Sequence, residues 1–102
     1  MPQIAIFVEF EPLPGKQAQF EEIIREHARR TKAEEPGCLH FDVLYVLDEA
    51  GARVPNKLMV SELYADAAAV AAHRGTERIK QVGAAMGPLL ANRRLIAAEV
   101  EA

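Results

Sequence analysis

The sequence predicts an α+β domain: one antiparallel sheet with its helices packed on a single face. Three observations carry that reading. Runs with a period of two lie near both ends of the chain, at residues 3–11 and 93–101. Helical patterns fill 16–33 and 67–86. The strand-like segments 38–47 and 57–64 follow one another with only a loop between them. The order strand, helix, strand, strand, helix, strand suits a split βαβ, ferredoxin-like sheet better than a helical bundle.

In the first strand Ile4, Ile6, Val8 and Phe10 alternate with Ala5, Phe7, Glu9 and Glu11. The second set is apolar early and acidic late, so cover on both faces is expected for half the strand. Pro12-Leu13-Pro14-Gly15 ends it. A helix is expected from Lys16 to Ala33, where Phe20, Ile23, Ile24, His27, Ala28 and Thr31 share one stripe. Glu21 with Arg25 and Glu26 with Arg30 are i,i+4 pairs on its wet side. Pro36 and Gly37 stop this helix, Gly37 by suiting a left-handed turn.

The second strand, Cys38 to Leu47, puts Leu39, Phe41, Val43, Tyr45 and Leu47 on one face and Cys38, His40, Asp42, Leu44 and Val46 on the other. Residues 48–56 read as a long loop with a mobile tip. The third strand, Lys57 to Tyr64, turns Leu58, Val60, Glu62 and Tyr64 one way. Asp66 caps an alanine-rich helix that reaches His73, and Gly75 and Thr76 break it. A second helical piece runs from Glu77 to Met86, Gly87-Pro88 ends it, and the last strand spans Arg93 to Glu101. Phe7, Leu39, Phe41, Val43 and Tyr45 make the open sheet face too apolar for water, so a homodimer packed sheet to sheet is expected.

The chain of 102 residues suits one domain, 1–102. Its charged fraction of 26% and net charge of -3 exclude a disordered acidic tail and a basic nucleic-acid binder. No apolar run approaches the roughly 20 residues that cross a bilayer. Residues 4–8 are too short for a signal-peptide core and no positive region precedes them, so a cytoplasmic location is expected. Cys38 is the single cysteine, which excludes an internal disulfide and a cysteine-built zinc site. No Gly-rich phosphate loop, CxxC or HExxH is present.

Among residues that carry chemistry, His73 stands out. It closes the alanine-rich helix, where small neighbours leave space around a ring that exchanges protons near neutrality. The plainer role is a histidine satisfying the helix's last carbonyls. Tyr64 and Glu62 share a strand face; Tyr64 has a hydroxyl to donate, and Glu62 is able to orient a base or pair with an arginine. His27 reads as a core residue of the first helix, and His40 as a sheet-face residue beside Asp42. Arg74, Arg78, Arg93 and Arg94 either bind an anion or form a solvated basic face. Cys38 follows a helix C-terminus, which raises a thiol pKa and argues against a nucleophile.

Pro14-Gly15-Lys16 opening a helix that contains Phe20, Glu35-Pro36-Gly37-Cys38 leading into a strand with Phe41, Glu62-Leu63-Tyr64-Ala65-Asp66, Ala72-His73 and then Thr76 together resemble the antibiotic biosynthesis monooxygenase domain family. The likeness is to its small quinol monooxygenase-like members and spans roughly residues 3–100. It implies a dimeric α+β barrel and oxidation of a quinol or polyphenol by molecular oxygen, with no metal or flavin. His73 would be the base, Tyr64 a hydrogen-bond donor and Glu62 the group that orients the base. From the strand and helix faces, Phe7, Phe41 and Met86 are expected as pocket walls, and His40 and Arg78 as further substrate contacts. The family commonly has Trp at the place of Tyr64, and many members have a second His at the place of Arg78. An inward-facing Arg78 would favour an anionic substrate. Arg78 and His40 also motivate an alternative, isomerisation or breakdown of a small phosphorylated signal molecule. Haem degradation fits poorly, with Val8 near the expected Asn and no Trp in the chain. A non-catalytic dimeric ligand-binding barrel is the other alternative.

Overall fold

The computed structural model describes residues 2–101. The elements are β1 (Ile4–Pro12), α1 (Gln17–Glu34), β2 (Cys38–Leu47), β3 (Arg53–Tyr64), α2 (Ala67–Arg74), α3 (Glu77–Met86) and β4 (Leu90–Glu99). The strands form one antiparallel sheet in the order β2-β3-β1-β4. This is the ferredoxin-like α+β arrangement that the element order predicts, with the helices on one face.

Register decides which side chains meet the helices. Ile6 pairs with Glu62, Val8 with Val60 and Phe10 with Leu58, so the apolar phase of β1 and that of β3 share the inner face. Phe20, Ile24, His27, Ala28 and Thr31 of α1 are buried against it. The α1 stripe is therefore core, as its spacing predicts. Of its predicted outer pairs Glu21–Arg25 is present at 3.7 Å, whereas Glu26 pairs with Arg29 and Arg30 with Glu34.

β2 departs from simple alternation. Cys38 pairs with Tyr64 and His40 with Leu63, so Leu39 is an extra residue in a bulge. Downstream of it, Phe41, Val43 and Tyr45 lie opposite Glu62, Val60 and Leu58, on the inner face with Cys38. The expectation that Phe41, Val43 and Tyr45 belong to the open face is thereby corrected. The open face carries Phe7, Leu44 and Ile96, which are 37%, 38% and 40% exposed.

The β2–β3 connection is shorter than predicted. β3 begins at Arg53, and residues 48–52 close a turn in which the Asp48 carboxylate accepts from the Ala50 and Ala52 amides at 2.9 and 3.0 Å. Pro55 and Asn56 sit in an irregular stretch where the register jumps from Tyr45–Leu58 to Leu47–Arg53; Asn56 has φ 57°. β4 begins at Leu90 rather than Arg93, directly after the 3-10 turn Gly87–Leu89 that holds Pro88.

Gly37 has another role than the one predicted. It is absent from the positions with positive φ. Instead a Cβ built there would lie 2.4 Å from the Cβ of Ala69, so the bare backbone lets α2 approach the turn that follows α1. Asp66 does cap α2, accepting from the Ala69 amide at 2.8 Å. Thr76 caps α3 by accepting from the Ile79 amide, and its hydroxyl also donates to the His73 carbonyl at 2.9 Å. Among the described residues, no helix is long and apolar enough to cross a membrane.

Candidate active site

A cavity of about 120 Å³ lies between the sheet and the helices. Ile6, Val8, Phe10, Phe41, Val60 and Met86 give it apolar walls. Three polar side chains face it: His27, Glu62 and His73. Its rim includes Arg74, Arg93 and Leu95, which are exposed. A larger hollow of about 380 Å³ at the other end of the sheet, lined by Glu9, Glu11, Lys57 and Arg94 among others, holds none of the candidate catalytic groups.

His73 reaches this cavity because α2 ends there, and Gly37 brings α2 against the end of α1. Its Nδ1 lies 2.8 Å from Glu35 Oε1, and both side chains are nearly closed to solvent. Glu35 is held in an extended conformation at the C-terminus of α1, as a residue before proline is. A carboxylate accepts only, so Nδ1 carries the proton and the neutral ring has its lone pair on Nε2. Glu35 Oε2 accepts from Arg78 NH2 at 2.7 Å. The same guanidinium donates through NH1 to Thr31 Oγ1 at 2.8 Å and to His27 Nδ1 at 3.2 Å.

A separate pair stands on β3. The Tyr64 hydroxyl donates to Glu62 Oε1 at 2.5 Å. Burial raises the Glu62 carboxyl above the usual range, with the Tyr64 hydrogen bond working against that rise. Burial likewise raises the Tyr64 phenol, and Glu62 beside it adds to the shift. The Tyr64 and His73 rings lie 5.3 Å apart between centroids. Burial lowers His27 to about 4, with His73 and Arg78 adding to the effect, so this ring is neutral near pH 7. Its edge meets Phe41, with centroids 5.5 Å apart and planes at 90°.

Several predicted roles change. Glu62 does not hold His73; Glu35 does, because Glu62 is engaged by Tyr64 on the strand. Phe7 is not a wall, since the β1 pleat turns it to the outer face. His40 also lies outside, half exposed and 2.8 Å from Asp42. Arg78 does not line this cavity; it lines a separate hollow of about 350 Å³ with His27 and Arg30, and it contacts Glu35, Thr31 and His27. Phe41 and Met86 do line it, together with His73 and Glu62. Cys38 is buried and its thiol pKa is raised, chiefly by burial. Sequence reasoning missed Glu35 and His27. The partner of Glu35 lies 38 residues away, and His27 falls on an apolar stripe where a core role is the default. Among the described residues, no cluster of three or more His, Cys, Asp and Glu side chains is placed to hold a metal ion.

The sequence profile of the antibiotic biosynthesis monooxygenase family matches residues 3–85, and the chain belongs to that family. A candidate antibiotic biosynthesis monooxygenase of Caulobacter crescentus CB15 superimposes with a TM-score of 0.87 at 32% identity, over 99% of this chain and 92% of its own. Two further candidates share the fold at 22% identity. That of Nitrosomonas europaea has a TM-score of 0.82, over 93% of this chain and 95% of its own. That of Bacteroides thetaiotaomicron has 0.79, over 95% and 88%. No curated protein matches the chain.

Proposed function

We propose that the chain is a monooxygenase that oxidises a quinol or related phenol with molecular oxygen, using neither metal nor flavin. One observation carries this reading: His73, its Nδ1 tied to Glu35, faces a cavity whose walls are mostly apolar. His73 Nε2 takes the phenolic proton. The electron-rich anion passes one electron to O2, the radical pair combines at a ring carbon that bears hydrogen, and His73 returns its proton to the peroxide oxygen so formed. Loss of water from that hydroperoxide leaves a quinone, with one oxygen atom in the product and the other in water. The apolar walls favour this step by excluding bulk water from the anion. Tyr64, bound to Glu62, keeps the carboxylate away from His73.

The cavity of about 120 Å³ is somewhat below the size, about 150 Å³, at which a protein cavity takes up benzene. A single ring is therefore favoured over a fused one. The reading includes a homodimer formed through the outer sheet face. The alternative of a phosphorylated ligand rested on Arg78 and His40, and neither lines the cavity.

The test is oxygen uptake by chelator-treated protein over hydroquinones, catechols and naphthoquinols. Uptake with single-ring substrates is expected, falling about 10²–10⁴-fold in His73→Ala. Uptake no faster than in buffer across the whole panel would leave a non-catalytic ligand-binding barrel.

A further inference from the structure

Arg78 contacts one cavity histidine, His27, and the carboxylate that holds the other, His73. Arginine only donates, so the contact from NH1 requires His27 Nδ1 to be the acceptor. A neutral His27 then carries its proton on Nε2. Through NH2 the same guanidinium holds Glu35, whose other oxygen accepts from His73 Nδ1. A neutral His73 then carries its lone pair on Nε2. The two rings face one cavity with centroids 5.5 Å apart. Neither Nε2 bonds to the protein, and neither is sealed: Arg78 Nε is the one sealed side-chain nitrogen or oxygen without a partner among the described residues. Keeping that Nε buried and unpaired has a stability cost, as expected where a guanidinium is placed for its other contacts.

We propose that Arg78 is a positioning residue that gives the two histidines opposite polarity, His27 an Nε2–H donor and His73 an Nε2 acceptor, so that the cavity selects a phenol bearing a second oxygen. The phenolic hydroxyl donates to His73 while the second oxygen accepts from His27. This rests on the cavity being the substrate site. It adds His27 as a substrate contact, and it accounts for an arginine that bridges Glu35 and His27. Lysine would not replace it, because a single ammonium lacks the planar fork that spans Glu35 and His27 together.

The imidazole nitrogen-15 spectrum of the labelled chain tests this without turnover, and His40, outside the cavity, is an internal control. The expected wild-type result at pH 7 is the Nε2–H form for His27 and the Nδ1–H form for His73. Arg78→Met is expected to lower the ratio of Nε2–H to Nδ1–H forms of His27 severalfold, and Arg78→Lys to restore it only in part. An Nδ1–H or charged His27 in the wild type overturns the proposal, even if the Arg78 variants do not fold. So does an unchanged His27 ratio in folded Arg78→Met. Anaerobic titration supplies the second arm: His27→Phe is expected to weaken hydroquinone at least tenfold and phenol less than twofold. Equal losses, or no hydroquinone binding to the wild type, overturn the ligand assignment. Correct tautomers and binding without oxygen uptake would instead refute the oxygenase reading alone.

Discussion

Glu62 is buried and Glu35 partly so, both near His73, but they stand under opposite electrostatics. Glu35 is met by a guanidinium at 2.7 Å, whereas Glu62 has only a phenol to hold it. Glu62→Gln keeps an oxygen to accept from Tyr64 and removes a desolvated charge. Since the folded state holds the Glu62 proton more tightly than the unfolded chain, ionisation of Glu62 destabilises the fold as pH rises. The substitution is expected to stabilise by about 1 kcal/mol at pH 8, a gain in Tm of about 4–8 °C, and by less at pH 5. Glu35→Gln should act the other way, leaving Arg78 with only the exposed Glu34 at 4.0 Å as counter-charge, at a cost of up to roughly 3 kcal/mol in urea unfolding. His27 gives the acid limit. Its folded value of about 4 lies below the ordinary 6.5, so the unfolded chain takes up this proton first as pH falls. The stability it contributes is complete above about pH 6.5 and declines down to about pH 4, by roughly 3 kcal/mol at most. His27→Gln, neutral throughout and still able to accept from Arg78, is expected to lose less of its urea midpoint between pH 7 and pH 4.5 than the wild type does.

At the scale of elements, the site depends on how closely α2 approaches the end of α1. Gly37→Ala sets two methyl groups 2.4 Å apart, and Ala69 lies in a helix that yields little. The expected cost is about 1–3 kcal/mol, with a lower kcat as His73 draws away from Glu35. Ala69→Gly alone should cost about 1 kcal/mol through helix propensity. The double variant, measured by urea unfolding, should regain most of the loss caused by Gly37→Ala. A double variant as unstable as the sum of the two would show that the contact is not the cause. This close approach also marks where the sequence was legible and where it was not. Alternation placed β1 and the inner face of β3, and helical spacing placed the buried stripe of α1, because those patterns are local. The β2 faces were lost at Leu39, since one extra residue reverses the phase and no local signal announced it. Pro55 and Asn56 disguised the start of β3 as loop. His73 was visible from its helix end among small residues. Its partner was not, because the Glu35–His73 bond is made by tertiary packing.

For the whole molecule, the question is what covers the outer face of the sheet. Phe7 and Ile96 are directly paired across β1 and β4, and Leu44, opposite Met59, continues the apolar surface on β2. Polar groups share its rows: Asp42 lies across Ser61 from Phe7, and Glu9, 3.7 Å from Arg94, lies beside Met59. A face that carries both apolar side chains and charges of each sign is able to complement itself about a two-fold axis. Sedimentation at micromolar concentration is therefore expected to give twice the chain mass, and Phe7→Glu with Ile96→Glu to give the monomer. The consequence reaches the site, because β4 is an edge strand that also carries Arg93 and Leu95 at the cavity rim. Packing its outer side against a second copy would steady that rim, whereas His73 and Arg78 lie on helices of the inner layer and Glu35 just after one. The monomeric variant should consequently raise KM for a single-ring quinol severalfold and change kcat little. Its Tm should also lose the dependence on protein concentration that is expected of a dimeric wild type. A wild-type chain that sediments as a monomer would remove the dimer, and a kcat that falls as steeply as KM rises would mean the inner layer needs the second copy as well.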